Sequence, residues 1–165
     1  MATTEARRPV DPRAVDAAAD YLDEALERMG LDATVRTREE DGETVLEITG
    51  RDAASMVGKK GATLDALQLL CNRVASRELD GDRVSLTLDA DGYRARRAKQ
   101  LTTIAEQLGR RCVAEGKVLV MEPLPPRERR VIHMALARFP GVSTRSEGEG
   151  EERRIQIIPM PAPNP

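Results

Sequence analysis

The sequence predicts an α+β protein made of two small units in series, and three observations carry that prediction. Apolar residues recur at helical spacing in four long stretches and alternate at strand spacing in several short ones. Asp41-Gly42 stands between two strand-like runs, the strongest short signal for a hairpin. Gly58-Lys59-Lys60-Gly61 separates a short apolar segment from a longer helical one, so two glycines bracket two lysines at a helix junction.

Taken in order, Met1 to Val10 is polar and expected to be disordered, as terminal segments are. Asp11-Pro12 starts a helix, with Pro at its first position. Val15, Ala18, Leu22, Ala25, Leu26 and Met29 form its apolar stripe, and Gly30 ends it. Residues 33–38 and 44–49 read as strands around the Asp41-Gly42 turn. Residues 51–57 read as a short helix. After the glycine loop, a helix from Ala62 to about Ser76 carries Leu64, Leu67, Cys71 and Val74 on one face. Residues 83–88 alternate, with Val84, Leu86 and Leu88 facing one way, as in a strand buried on one side.

Asp91-Gly92 opens a long helix to about Glu115, with Leu101, Ile104, Ala105, Leu108 and Cys112 as its core face. Tyr93, Arg94, Arg96, Arg97 and Lys99 make its first half basic, which suits either a solvated face or nucleic-acid contact. A short strand, 118–121, precedes a proline-punctuated turn. A helix from Arg127 to about Ala137 follows, with Val131, Ile132, Ala135, Leu136 and Phe139 on its buried side. Residues 142–146 and 153–158 read as a final hairpin. The proline-rich tail, 159–165, is expected to be mobile.

Composition narrows the function. The chain has 165 residues and a net charge of −2. Tyr21, Tyr93 and Phe139 are its only aromatic residues, too few for a base-stacking sheet platform. Residues 1–50 hold 6 basic and 13 acidic side chains, whereas residues 51–138 hold 17 and 11. The basic excess thus falls on the part that contains the glycine loop, as an electrostatic footprint for nucleic acid would. Cys71 and Cys112 sit on apolar helix faces and read as buried thiols rather than a disulfide. No apolar run is long enough to span a bilayer and no signal peptide is evident, so the expected location is cytoplasmic.

Two constellations carry chemistry. In the first, Gly58 and Gly61 can take backbone angles closed to other residues and let a ligand approach the main chain. Lys59 and Lys60 add charge at the amide-rich start of a helix. This is a cradle for phosphate; the plainer reading is a solvated turn with surface lysines. The nucleotide-binding G-x-x-x-x-G-K-[ST] pattern is not met. In the second, Arg129 and His133 lie four residues apart on one helix face, directed away from the apolar stripe, with Arg127 and Arg130 nearby. Arginine beside histidine suits an anion, although a lone histidine is also an ordinary structural or surface residue. No metal-ligand spacing and no nucleophile or paired-carboxylate pattern is present, so no cofactor and no catalysis are expected.

The order of elements around Val57-Gly58-Lys59-Lys60-Gly61-Ala62 resembles a type II KH domain. Pro125-Pro126-Arg127-Glu128-Arg129-Arg130-Val131-Ile132-His133 resembles the signature of the R-three-H domain. The pair in this order is similar to the bacterial Jag family, also called KhpB or EloR. The resemblance covers Asp11 to Ile158 and implies a KH domain at 11–90, then a linking helix and R-three-H domain at 91–158. It implies single-stranded RNA contact at Gly58, Lys59, Lys60 and Gly61, and phosphate contact at Arg129 and His133. It also implies a link to cell elongation and cell shape, and a small KH-only protein or self-association as partner. Many members carry a further N-terminal Jag domain; here the first KH helix starts within twenty residues, so that domain is expected to be absent. Two other functions stay open: a protein-interaction scaffold with incidental nucleic-acid affinity, and a single-stranded DNA-binding module.

Overall fold

The computed structural model describes residues 10–160, which form two compact units divided after Arg94. The expectations for residues 1–9 and 161–165 lie outside the described residues. Val10 itself is half-buried against the first core, and Pro159 closes a strand, so order begins earlier and ends later than expected at these two residues.

In the first unit α1 (Pro12–Arg28) is capped by Asp11, whose carboxylate accepts from the Arg13 amide at 2.9 Å. Strands β1 (Thr34–Glu40) and β2 (Glu43–Thr49) form the predicted hairpin, in register from Thr34 opposite Thr49 to Glu40 opposite Glu43. Asp41 and Gly42 have φ of +51° and +75°, the paired positive angles of a tight hairpin turn. Strand β3 (Thr87–Ala90) adds in parallel beside β2, giving the order β1-β2-β3. Helix α2 (Ala62–Glu78) lies against α1. Leu22 and Leu26 of α1, Leu46 and Ile48 of β2, Leu64 and Cys71 of α2, and Leu86 and Leu88 share one buried core. Burial drives the Cys71 thiol up to about 11, so it stays protonated and inert.

Two elements differ from the sequence expectation. The helix expected over 51–57 is only a single 3-10 turn, Ala53–Met56. It is confined between Gly50 and Gly58, both at positive φ, which leaves too few residues to nucleate an α-helix. The strand expected from Arg83 pairs only from Thr87 onward. Leu86 is buried as the alternation implied, but its backbone bonds elsewhere. Its N–H donates to Asn72 Oδ1 at 2.7 Å and its carbonyl accepts from Asn72 Nδ2 at 3.3 Å. The Leu88 N–H donates to Gln68 Oε1 at 2.9 Å, and its carbonyl accepts from Arg94 Nε at 2.6 Å. Arg94 also donates to Gln68 Oε1 and pairs with Asp65 at 2.9 Å. Asp65, Gln68 and Asn72 lie at helical spacing, so one polar side of α2 binds the side of β3 turned away from β2.

Helix α3 (Tyr93–Glu115) begins in the first unit, and from Ala95 onward it belongs to the second, where it packs with α4 (Pro126–Leu136) and a sheet of order β4-β6-β5. The strands are β4 (Leu119–Val120), β5 (Val142–Glu147) and β6 (Arg154–Pro159). Leu101, Ala105, Cys112, Ile132, Leu136, Val142, Ile155 and Ile157 form the core. Ile104 was expected in that core but is 38% exposed. At Gly109 a Cβ would meet Phe139 Cε1 at 3.1 Å and Leu136 Cδ2 at 3.2 Å. The buried positions are Leu101, Ala105, Gly109 and Cys112, and at about 100° per residue Ile104 falls at the edge of that face. Cys112 is a buried free thiol, its Sγ 3.2 Å from the Lys117 carbonyl. Among the described residues, no helix is long and apolar enough to cross a membrane.

Replacing Asn72 with Leu leaves the Leu86 N–H and carbonyl without their partner. The expected cost is about 2 kcal/mol, or a fall of roughly 4–8 °C in the thermal midpoint read by circular dichroism. An unchanged midpoint would mean that water replaces the amide at no cost.

Candidate nucleic-acid interface

The first candidate surface is the glycine loop. Gly58 has φ +70° and ψ −175°, a conformation essentially closed to residues with a Cβ. A Cβ at position 58 would lie 2.1 Å from Thr63 Oγ1 and 2.9 Å from Thr63 N, so the main chain needs glycine for space as well as for angle. Lys60 takes φ +53° and Gly61 φ +82°, and the Leu64 N–H bridges back to the Val57 carbonyl at 3.3 Å. The chain thereby reverses within four residues and enters α2 with no side-chain cap on its first amides. Lys59 is exposed and Lys60 half-buried at this turn, while Gly61 is buried beneath Tyr93, 3.1 Å from where a Cβ would stand. The Ala62 and Leu64 N–H groups are taken by the Lys59 and Val57 carbonyls, so what can receive an anion here is the bare backbone at Gly58 with two lysines at the positive end of the helix.

The second candidate surface lies in the other unit. Pro126 occupies the first position of α4, where its missing N–H costs nothing, and the Arg129 N–H returns to the Pro125 carbonyl at 3.0 Å. The next anchor is Glu128, which is 7% exposed. Both its oxygens are met by Arg97 of α3, Nε at 2.7 Å and Nη2 at 2.9 Å. This bidentate pair is what makes a carboxylate tolerable in the core. Two arginines of the basic run that opens α3 are thus committed inward, Arg94 in the first unit and Arg97 in the second.

Arg129 and His133 do not stand clear in solvent, as helical spacing alone suggested. Both are half-buried where α4 meets β5. His133 Nδ1 lies 2.7 Å from Thr144 Oγ1, and Nε2 lies 3.0 Å from Ser146 Oγ. Arg129 Nε donates to the Leu124 carbonyl at 3.1 Å, and its Nη1 reaches Ser146 Oγ at 3.5 Å. Burial, and secondarily the Arg129 charge, holds His133 below the usual histidine range. Arg127 and Arg130 lie on the exposed side of the same helix. The structure thus brings Arg129 and His133 together on one hydroxyl, and places the glycine loop in the other unit. Sequence reasoning missed Thr144, Ser146 and Thr63. Of these, the β5 pair left a signal: Val142, Thr144 and Ser146 alternate onto the sheet's inner side.

Two outcomes test this geometry. Gly58→Ala is expected to cost roughly 1–3 kcal/mol in urea unfolding, whereas a neutral effect would show that the loop relaxes freely. Arg97→Met is expected to cost about 3 kcal/mol by stranding Glu128, and adding Glu128→Leu should restore most of it. Additive losses in that double-mutant cycle would deny the coupling.

Comparison with known proteins follows the same division. Residues 16–88 match the family described as KhpA/KhpB, KH domain, and residues 99–159 match the R-three-H domain. The chain is 33% identical over 144 residues to RNA-binding protein KhpB of Clostridium symbiosum, covering 86% of this chain and 64% of that protein. It is 33% identical over 152 residues to the protein of the same name from Lactiplantibacillus plantarum, covering 92% and 47%. For that of Bacillus subtilis the identity is 33% over 150 residues, covering 90% and 71%. The chain therefore spans from about half to about two thirds of the length of these relatives. A KhpA/KhpB-type KH domain, then an R-three-H domain, and a relative matched over most of both lengths place this chain in the KhpB family.

Proposed function

We propose that this chain binds single-stranded RNA, gripping the sugar–phosphate backbone through Gly58, Lys59, Lys60 and Gly61. Arg127, Arg129, Arg130 and His133 supply a second phosphate contact. The observation that carries the reading is the loop itself: a main chain with no room for a side chain at position 58, leading into a helix start that has no side-chain cap, beside two lysines. The matched relatives bear the name RNA-binding protein, and theirs is a family of binding proteins rather than enzymes. The family description joins KhpA and KhpB, which supports a small KH-only protein as a partner, or self-association. A cytoplasmic role in cell elongation and cell shape belongs to this proposal on the family resemblance alone. With a net charge of −2, affinity from one module is modest, and two linked modules raise it by effective concentration.

A second reading is a scaffold whose first unit holds a protein partner. It is favoured by Leu69 and Leu70 of α2, which are 56% and 43% exposed.

Fluorescence anisotropy with short single-stranded RNA separates the two. Changing Lys59 and Lys60 both to Asp should abolish most binding at low salt. It should also reduce the slope of log affinity against log salt by about 1.4, from two lost phosphate contacts. Equal binding by the folded variant would move the grip away from the loop. No binding by either protein would leave the scaffold, and DNA of the same sequence competing equally would favour a single-stranded DNA module.

A further inference from the structure

Thr144 and Ser146 are two residues apart on β5, so their side chains share a face. Across the ladder they stand opposite Ile157 and Ile155, both fully buried, which makes this the inner face of the sheet. Arg145 and Glu147 alternate onto the other face, where Glu147 bonds Gln156. The surroundings of the His133 ring are therefore definable. On its own helix the charge acting on it is Arg129, one turn away. From β5 it meets two neutral hydroxyls, and behind them on β6 lie two isoleucines.

A neutral imidazole has one N–H and one lone pair. With a hydroxyl at each nitrogen, one hydroxyl accepts from the ring and the other must donate to it. In either tautomer, then, one hydroxyl proton is tied to the ring. When the ring takes up a proton, both nitrogens donate and both hydroxyls accept. The tied hydroxyl proton is released, and no hydrogen bond to the ring is lost. It is the Ser146 proton when the neutral ring carries its own on Nδ1, the tautomer in which Ser146 Oγ accepts from Arg129 and donates to Nε2. Ser146 Oγ is the hydroxyl that also faces the Arg129 guanidinium, so a proton on it can point at the same anion that Arg129 attracts.

We propose that Ser146 belongs to the phosphate site of the second unit, and that Arg129 and the Ser146 hydroxyl hold a phosphate of bound RNA while His133 is charged. The inference rests on the RNA-binding reading and goes further in naming a ligand residue and a coupled proton. Binding takes up one proton from solvent onto His133. In the free protein, burial and Arg129 oppose that proton; a phosphate charge beside them reverses the balance. The sign follows: RNA raises the His133 titration midpoint, and affinity through this unit increases as pH falls through it.

His133 is the only histidine in the chain, so one imidazole signal in the NMR spectrum reports it alone. The intact chain is titrated from acid to neutral pH, with and without a mixed-sequence single-stranded RNA 10-mer, while anisotropy on the same samples reads saturation. The expected result is a rise of at least about one pH unit in the midpoint on saturation. Ser146→Ala should remove most of that rise and weaken binding roughly fivefold at about pH 6, and Ser146→Thr should retain both. If RNA saturates the protein and the midpoint does not move, the site is refuted while RNA binding stands. If Ser146→Ala weakens binding equally at every pH and leaves the rise intact, the hydroxyl only braces the ring and the proposal fails. If no RNA binds at any pH, the RNA-binding reading itself fails and this proposal with it.

Discussion

The first unit depends on a chain reversal completed between Gly58 and Gly61. Its conformation is fixed twice over. Positive φ at positions 58, 60 and 61 sets the direction of the turn, and the proximity of Thr63 leaves no space for a Cβ at its start. The lysines take their positions from this backbone. The same reversal aims α2 so that its apolar side meets α1 and the sheet, while Asp65, Gln68 and Asn72 meet β3 and Arg94. Loop, helix and strand are therefore one bonded assembly: an angle that glycine tolerates, a helix direction, and a set of amides delivered to waiting backbone groups.

The second unit is organised differently, around the burial of charge. A carboxylate in a core is tolerated when each oxygen has a donor, and Arg97 supplies both. That pair pins the first turn of α4 to α3. The turn in turn presents Arg129 and His133 to the two hydroxyls of β5. The polar cluster sits at the rim of a core made of Ile132, Leu136, Ile155 and Ile157, which is why its electrostatics are not those of a solvated surface.

Much of this was legible in the chain. Asp41-Gly42 marked the hairpin because few dipeptides accept two positive φ angles, and GKKG marked the loop for a related reason. The helices were readable because apolar periodicity reports burial directly. What escaped were the partners of polar groups. Alternation over residues 83–88 correctly reported that Leu86 is buried, but not that Asn72 rather than a strand satisfies its backbone. Arg94 and Arg97 looked like surface charge because a sequence does not say which arginine has a carboxylate within reach. Thr144 and Ser146 stand eleven and thirteen residues from the histidine they hold, and only the β5 register puts them there.

Sheets invite growth, because a strand at the margin shows donors and acceptors to whatever extended chain comes near. Along Leu86 to Leu88 that invitation is withdrawn: both leucine N–H groups and both leucine carbonyls already have side-chain partners in Asn72, Gln68 and Arg94. Fibril-like stacking of copies at this margin would have to extract three half-buried side chains at once before gaining its first backbone bond. The side chains that occupy this margin are thus the same ones that hold the loop-bearing helix in place.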